Sequence, residues 1–375
     1  MGKNKFAFVH MPYGPQAARL DTMPLGLNPV RALANSGAEV DLYLAETPSD
    51  RYKSLLSSNV KLKYFKEVHS DRFLKYTAMF STKFLKKYTC VFGLGQIGIY
   101  LAFLLATVNK CPFIYINDEF PGAEINPWSK LERKLSKKAA MIVVPDEQRF
   151  KPLCKALEIS QDLPHAVLPN ISNINRQLIS IDWHEKLGLL SRTITPLLHA
   201  GSISDWSQIP ELLSVLPYWP ENTVLVLNDR SRTPVYYRRQ IGHLDVPGRV
   251  IWTQGLLTED ELNSLVGYCS ICFALYRNMD ENIEYTGLSS GKLLRSIACG
   301  TPVIVSKLPS FQFVEKQGLG ILVTHPKEIP EAINKILADR DFYKDNCLRF
   351  STEISFDKMW KIFCSHLKEV TGIEL

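Results

Sequence analysis

The feature that most constrains the fold is an alternation of strand-like and helix-like segments that occurs twice along the chain. In the first half, short apolar runs are separated by helix-like stretches such as 28–34 and 97–106. The strand-like runs are 6–10, 40–44, 90–92, 113–116 and 141–144. Such alternation predicts a parallel sheet with helices on both faces.

The second half repeats this pattern after a polar passage rich in turn residues, PNISNINRQ at 169–177. Its strand-like runs are 195–198, 223–227, 250–252, 271–274, 302–305 and 321–323. We therefore predict an α/β protein with two Rossmann-like domains, an N-terminal one at 1–175 and a C-terminal one at 190–350. A ligand would bind in the cleft across which they face each other, at the carboxyl ends of the strands. The amphipathic stretch 356–370 predicts a helix, within 351–375, that crosses back to the first domain.

Composition places the chain among cytoplasmic globular proteins. It has 375 residues, 46% of them hydrophobic, which is enough to bury two cores. No run of eighteen apolar residues occurs, and the N-terminus leads directly into a strand-like run, so we expect neither a spanning helix nor a signal peptide. The eight cysteines are scattered without the spacing of a zinc site, which favours reduced thiols.

The net charge of +6 is unevenly placed, with basic residues concentrated at 72–88 and 128–138. In the first stretch Phe73, Tyr76, Phe80 and Phe84 recur among the bases at helical spacing. Such a helix can lie on an anionic membrane, or it can pack its aromatic side chains inward and leave solvated lysines outside. Both stretches are candidates for peripheral contact with the inner face of a membrane.

The segment TGLSSGKLLRSIACGTPVIVSKLP, at 286–309, raises the question of a phosphate-binding loop. It is not a Walker P-loop, because only three residues separate Gly287 from Gly291 and Lys292 is followed by Leu293 rather than by a hydroxyl residue. It does place small residues at a predicted helix start, where free N–H groups accept an anion. The alternative is that Ser289 and Ser290 only cap the helix.

The tandem domains and this segment together resemble the GT-B glycosyltransferases, especially the retaining class (glycosyl transferases group 1, glycosyltransferase family 4-like) that uses nucleotide-sugar donors. The resemblance is specific from about 197 to 323. It rests on LLHAGSISDW at 197–206, IWTQGLLTEDELNSLVGYCSICFALYR at 251–277, SSGKLLRSIACGTPVIVSKLPSF at 289–311 and GLGILV at 318–323.

This resemblance implies a set of donor-binding residues. A transferase without a metal must meet the diphosphate with backbone amides, hydroxyls and cations. The residues at matching positions are Gly14, Gly201, Arg230, Gly255, Ser289, Ser290, Gly291, Lys292 and Arg295. We expect 289–296 to form a helix that offers the N–H groups of Ser290 and Gly291 and the ammonium of Lys292 to the phosphates. For Gly14 and Gly201 an ordinary turn is the alternative.

One departure from the family concerns its two glutamates separated by seven residues, the second of which holds the donor ribose. Here the second position is Arg295 and the first falls on Gly287, although Glu284 lies just upstream. Arg295 would be a second phosphate contact or a replacement for that glutamate. The departure leaves open a non-catalytic protein or one with an altered donor.

The acceptor side is represented by Asn117, Asp118 and Glu119, directly after a strand-like run. They could bind sugar hydroxyls or orient the acceptor, or form a solvated loop. Glu119 and Glu284 are the candidates for a catalytic group. The motif Asp339-Arg340-Asp341 follows a helix-like stretch, which indicates a solvated helix end rather than a metal site.

The predicted function is that of a hexosyltransferase, with a nucleotide-sugar such as a UDP-sugar as donor and a glycan, a lipid or a small molecule as acceptor. We expect retention, no metal or other cofactor, and no nucleic-acid partner. A sugar-nucleotide epimerase of the same fold and a non-catalytic partner subunit are the alternatives.

Overall fold

Both halves of the chain form a parallel sheet flanked by helices, so the predicted α/β class is confirmed. In this computed structural model the described residues are 4–11, 20, 23–45, 50–64, 88–121, 127–172, 181–230, 234–253 and 257–375. The chain divides into a first unit, Met1–Asn170 with Phe356–Leu375, and a second unit, Ile171–Ser355.

Within the described part of the chain, the first unit is built on a seven-stranded parallel sheet. Its strands are β1 (Lys5–His10), β2 (Glu39–Leu44), β3 (Val60–Tyr64), β4 (Cys90–Leu94), β5 (Phe113–Ile116), β6 (Met141–Val144) and β7 (His165–Val167). They lie in the order β3-β2-β1-β4-β5-β6-β7. The direction of winding therefore reverses between β1 and β4, and ligands of open α/β sheets bind outside the carboxyl ends of strands at such a point.

The helices between these strands are α1 (Pro24–Asn35), α2 (Gly95–Asn109), α3 (Pro127–Ser136) and α4 (Glu147–Leu157). Helix α2 begins directly after β4 and lies close to the sheet at Gly98. A Cβ at Gly98 would lie 3.0 Å from the Val9 carbonyl oxygen, so a larger residue there would push the helix away from β1. Asp146 caps α4 by accepting a hydrogen bond from the Gln148 N–H at 2.9 Å.

The second unit contains a six-stranded parallel sheet among its described residues. Its strands are β8 (Thr195–Gly201), β9 (Thr223–Asp229), β10 (Val250–Trp252), β11 (Ile271–Ala274), β12 (Val303–Ser306) and β13 (Gly320–Val323). Their order is β10-β9-β8-β11-β12-β13, so the winding reverses between β8 and β11. The carboxyl ends of these two strands are the expected place for a ligand in this unit.

The helices of the second unit cover both faces of its sheet and connect its strands. They are α5 (Trp183–Lys186), α6 (Ile209–Ser214), α7 (Pro234–Ile241), α8 (Glu259–Tyr268), α9 (Glu281–Glu284), α10 (Gly291–Ala298), α11 (Gln312–Lys316), α12 (Ile329–Ala338) and α13 (Arg340–Glu353). Helix α8 begins with a capping box, in which Thr258 and Glu261 satisfy each other's backbone N–H groups. Asp339 and Asp341 are exposed at the junction of α12 and α13.

The last helix, α14 (Phe356–Thr371), packs in the core of the first unit. Phe363 and Leu367 are buried there, and the Phe363 ring centroid lies 6.2 Å from that of Phe92 on β4. Helices whose residues are described are all too short or too polar to cross a membrane.

Candidate functional site

The most unusual side chain of the second unit is Lys292, in the first turn of α10. Its Nζ is buried and has no hydrogen-bond or ion-pair partner among the described residues. The ammonium lies over two aromatic rings, 4.1 Å from the Tyr276 centroid and 5.0 Å from the Trp206 centroid. Burial lowers the pKa of Lys292 to about 7. A buried cation without a counter-charge is costly, so this position is poised to receive an anion.

Helix α10 starts two residues later than the sequence predicts, because Ser290 is its N-cap rather than part of its first turn. The Ser290 hydroxyl accepts the Leu293 N–H at 3.4 Å and lies 2.7 Å from the Tyr276 hydroxyl. The Ser290 N–H is itself bonded to the Gly287 carbonyl at 3.2 Å, so our prediction that it faces a ligand is not supported. Gly291 and Lys292 belong to the first turn, where backbone N–H groups have no acceptor within the helix.

The carboxyl end of β8 lies against this lysine. A Cβ at Gly201 would make ordinary van der Waals contacts, 3.5 Å from Lys292 Cδ and 3.8 Å from His199 Nε2, so Gly201 lies directly beside the lysine side chain. His199 is fully buried, and within the described residues neither ring nitrogen makes a hydrogen bond of normal geometry, although the Ser202 backbone lies nearby. Burial, and then the charge of Lys292, lowers the pKa of His199 well below its usual value. The imidazole is therefore neutral.

Arg295 and Arg230 meet at one carboxylate, that of Glu259. Arg295 Nη2 donates to Glu259 Oε2 at 2.6 Å, and Arg230 Nη2 lies 3.2 Å from Glu259 Oε1. Arg295 also donates from Nη1 to Asn263 Oδ1 at 2.6 Å. Burial alone would raise the pKa of Glu259, but Arg295 and Arg230 outweigh it and hold the pKa below its usual value. The two predicted donor-binding arginines are thus fixed by an acid that the sequence analysis did not single out.

Other predicted residues lie elsewhere or cannot be placed. Gly14 and Gly255 lie outside the described residues. Gly287 opens a short 3₁₀ turn with Ser289, whose N–H is bonded to the Thr286 carbonyl. Glu284 ends α9, and its backbone carbonyl accepts the Ser310 hydroxyl at 2.7 Å. Within the described residues, Lys292 Nζ makes no hydrogen bond with the Glu284 carboxylate.

The predicted acceptor-side residues follow β5 in the first unit. Asn117 is buried, and its Nδ2 donates to the Tyr115 hydroxyl at 3.0 Å and to the Glu119 carbonyl at 2.8 Å. The Glu119 side chain is exposed. The Tyr115 hydroxyl is in turn bonded to Glu132 of α3. These bonds give the loop after β5 a fixed conformation.

Two carboxyl groups near this loop have raised pKa values. Burial, followed by the nearby charge of Glu119, raises the pKa of Asp118 to about 7. Burial also raises the pKa of Glu132 to about 7, against the lowering effect of its bond with Tyr115. Arg149 Nη2 donates to the Asp118 backbone carbonyl at 3.1 Å. A carboxyl group that titrates near neutral pH can exchange a proton with a hydroxyl substrate.

Across the described ranges, no group of three or more His, Cys, Asp or Glu side chains is arranged to hold a metal ion. The positive charges at the candidate site are instead those of Lys292, Arg295 and Arg230. Metal independence stays a prediction.

Solved structures of similar fold match nearly the whole chain. HepE from Anabaena, solved with UDP and glucose, is 16% identical over 98% of this chain and 100% of its own, with a TM-score of 0.75. A glycosyltransferase from Rickettsia africae is 13% identical, with 99% of each chain covered and a TM-score of 0.74. The chain has the GT-B fold. A putative UDP-N-acetylglucosamine 2-epimerase from Listeria monocytogenes shares it, at 12% identity, with 100% of this chain and 98% of its own covered and a TM-score of 0.62.

No protein-family model and no curated protein sequence matches the chain. Within the GT-B fold, the residues that the sequence analysis missed are Glu259, Asn263 and Trp206 in the second unit and Tyr115 and Glu132 in the first. Glu259 has one local signal, since it stands in the acidic first turn of a helix with a recognisable capping box. Nothing local indicates that it reaches Arg295.

Proposed function

We propose that this chain is a glycosyltransferase that transfers a hexosyl group from a nucleoside-diphosphate sugar to a hydroxyl acceptor. The observation that carries the proposal is the buried ammonium of Lys292, which lacks a counter-charge among the described residues. It stands in the first turn of α10, where free N–H groups and the helix dipole also favour an anion. A diphosphate provides the missing negative charge.

The position of this lysine supports a nucleotide rather than a simple anion. Gly201 ends β8, and the segment leading to α10 follows β11, so the lysine lies by the two strands between which the winding reverses. This is where nucleotides bind in open α/β sheets. The HepE structures hold UDP and UDP-glucose, which makes a UDP-sugar the first donor to test.

Donor binding is proposed to involve Gly201, Ser289, Ser290, Gly291 and Lys292, together with Gly14 and Gly255, which lie outside the described residues. Lys292 is proposed to balance the leaving diphosphate without a metal, together with the net positive charge that Arg295 and Arg230 keep after their bonds with Glu259. We propose that transfer proceeds with retention, in which the leaving phosphate itself takes the acceptor proton. No side chain is then needed as a catalytic base. If a carboxylate takes part in the reaction, Glu119 and Glu284 are the candidates.

The first unit is proposed to bind the acceptor, a glycan, a lipid-linked glycan or a small molecule, through the loop of Asn117, Asp118 and Glu119. Helix α3 and the residues after it expose Lys130, Lys134, Lys137 and Lys138. This basic face supports a cytoplasmic enzyme that works at the inner face of a membrane. The other stretch proposed for this contact, 72–88, lies almost entirely outside the described residues.

A sugar-nucleotide epimerase is the second candidate, favoured by the fold that the chain shares with the Listeria protein. An epimerase would convert a nucleotide-sugar without an acceptor. A transferase would release nucleoside diphosphate in proportion to glycosylated acceptor.

The test is to incubate the purified protein with UDP-, GDP- and ADP-sugars, each with and without candidate acceptors, and to measure nucleotide release and sugar identity. We expect acceptor-dependent release from one donor class, unaffected by chelator, and its loss in Lys292→Met. Lys335→Met is the matched control, because Lys335 is exposed on α12 and pairs with Glu331. An isomerised sugar without acceptor would identify an epimerase, and binding without turnover would identify a non-catalytic subunit.

A further inference from the structure

A groove of about 600 Å³ lies beside β13, a strand at the edge of the second unit's sheet. It is lined by residues 315–318 at the end of α11, by Gly320 and Ile321 of β13, and by side chains of α12 and α13. Helix α11 leads into the amino end of β13, whereas the candidate donor site lies at the carboxyl ends of β8 and β11. Because the strands are parallel, the groove and the donor site lie at opposite ends of the sheet.

Arg349 of α13 is fixed in this groove by an amide rather than by an acid. Its Nη2 donates to Asn346 Oδ1 at 2.7 Å, and Asn346 Nδ2 donates to the Gly318 carbonyl at 3.2 Å. Asn346 is buried, and a Cβ at Gly318 would lie 2.5 Å from Asn346 Nδ2, so the amide and the turn are in close contact. The amide therefore holds the guanidinium in place and leaves its charge uncompensated.

The free charge of the groove is that of two cations. The lining side chains carry three positive charges and one negative one, that of Glu315, whose carboxylate accepts a backbone N–H of β13 at 3.2 Å. Lys335 is already paired with Glu331, at 2.8 Å. Among the residues that the structure describes, no carboxylate forms an ion pair with Arg349 or Lys316. These two side chains are therefore available to an anion.

The groove also contains a backbone donor and an aromatic ring. The Val303 N–H donates to the Leu319 carbonyl at 3.1 Å. The Gly320 N–H belongs to the same planar trans peptide group as that carbonyl, so it points away from β12, toward the open edge of β13. The ring of Phe342, which is 52% exposed, also lines the groove. A ligand here can thus combine an anionic group with an apolar face.

A phosphate monoester matches this set, because it carries about two negative charges near pH 7 and several strong acceptor oxygens. The groove is larger than a phosphate needs, since pockets of about 300–1,000 Å³ hold whole small ligands. We propose that the groove beside β13 is a second ligand site, which binds a phosphate monoester whose ring packs on Phe342, either a sugar phosphate or a nucleoside monophosphate. Arg349 and Lys316 hold the phosphate there. This site does not depend on the donor diphosphate at Lys292.

The experiment is calorimetric titration of the full chain with inorganic phosphate, ribose 5-phosphate and UMP. It is done in the wild type and in Lys292→Met, because binding that persists in Lys292→Met does not take place at the donor site. In the Lys292→Met background, Arg349→Gln should weaken both esters by about tenfold or more, as for loss of one charge-assisted hydrogen bond. Lys316→Gln should act in the same direction. Arg340→Gln, which removes an exposed charge at the start of the same helix, should leave both affinities unchanged.

The ring is tested by Phe342→Ala, which should weaken the esters and leave the affinity for inorganic phosphate unchanged. Tighter binding of UMP than of ribose 5-phosphate would identify a nucleotide as the ligand, and equal binding would identify a sugar phosphate. Three results would overturn the inference: no ester binds to Lys292→Met, Arg349→Gln binds the esters as tightly as its parent, or inorganic phosphate binds as tightly as the esters. None of them affects the proposed donor site, which the binding of UDP to the wild-type protein tests separately.

Discussion

Replacing Lys292 by methionine should make the free protein more stable and the nucleotide-binding site weaker. Methionine keeps most of the length of the side chain and can still contact the Trp206 and Tyr276 rings, but it removes the buried charge. The two opposite effects distinguish a ligand-binding lysine from one that stabilises the fold, because replacing a structural lysine would destabilise the protein.

The size of the stability effect follows from the pKa. Burial lowers the pKa of Lys292 from 10.5 to about 7, and each pKa unit is worth about 1.4 kcal/mol, so keeping the lysine charged in the folded protein costs roughly 5 kcal/mol. At pH 7 the lysine is about half neutral in the folded state, which reduces this to about 4 kcal/mol. The cation–π contacts with the two rings recover part of it, so we expect Lys292→Met to raise the free energy of unfolding by about 2 kcal/mol.

The size of the binding effect follows from the lost charge-assisted bond. Such a bond is worth about 1.5–3 kcal/mol, so nucleoside-diphosphate affinity should fall by about 10- to 100-fold. Urea unfolding gives the first quantity and calorimetric titration with UDP gives the second, with Lys335→Met as the control in both. If Lys292→Met binds UDP as tightly as wild type, or unfolds more easily, the reasoning about this lysine is wrong.

Three further predictions concern pH and the fold. Between pH 7 and 10 the stability of the free wild-type protein relative to Lys292→Met should rise. The reason is that the lysine of the unfolded protein still binds a proton, which the lysine of the folded protein has lost. If the difference in free energy of unfolding between the two proteins stays flat or falls with pH, the lowered pKa is contradicted. Phe363→Ala should cost about 3–5 kcal/mol in urea unfolding, since it removes the buried ring that packs near Phe92; a loss below about 1 kcal/mol would mean that α14 does not stabilise the first unit. Gly320→Ala should cost about 3 kcal/mol, because its Cβ would lie 1.8 Å from the Val303 carbonyl oxygen, and an unchanged unfolding midpoint would show that β13 can shift.

The fold could be predicted from the sequence because its strands and helices carry local signals. Each strand of a parallel sheet that is covered on both faces is a short apolar run. The run at 6–10 lies within β1, and the run at 271–274 coincides with β11. The sequence predicts the start of α10 two residues too early. Ser289 and Ser290 are equally able to stand inside or before a helix, and only the hydrogen bond that the Leu293 N–H donates to the Ser290 hydroxyl decides between them.

The candidate site was predictable only in part, because its chemistry depends on contacts between distant segments. Lys292 could be singled out from its place after two small residues, but its burial depends on Trp206 and Tyr276, which reach it from two other segments. The pairing of Arg295 with Glu259 joins residues 36 positions apart on different helices. Hydrophobic periodicity reports which face of a helix is buried, and it carries no information on which charged residue of another helix lies opposite.

The most direct test of the central claim is a crystal structure of the protein grown with UDP. The account predicts the β-phosphate within about 3 Å of Lys292 Nζ and of the N–H groups that open α10. UDP bound elsewhere, with the Lys292 ammonium still unpaired between its two rings, would contradict it.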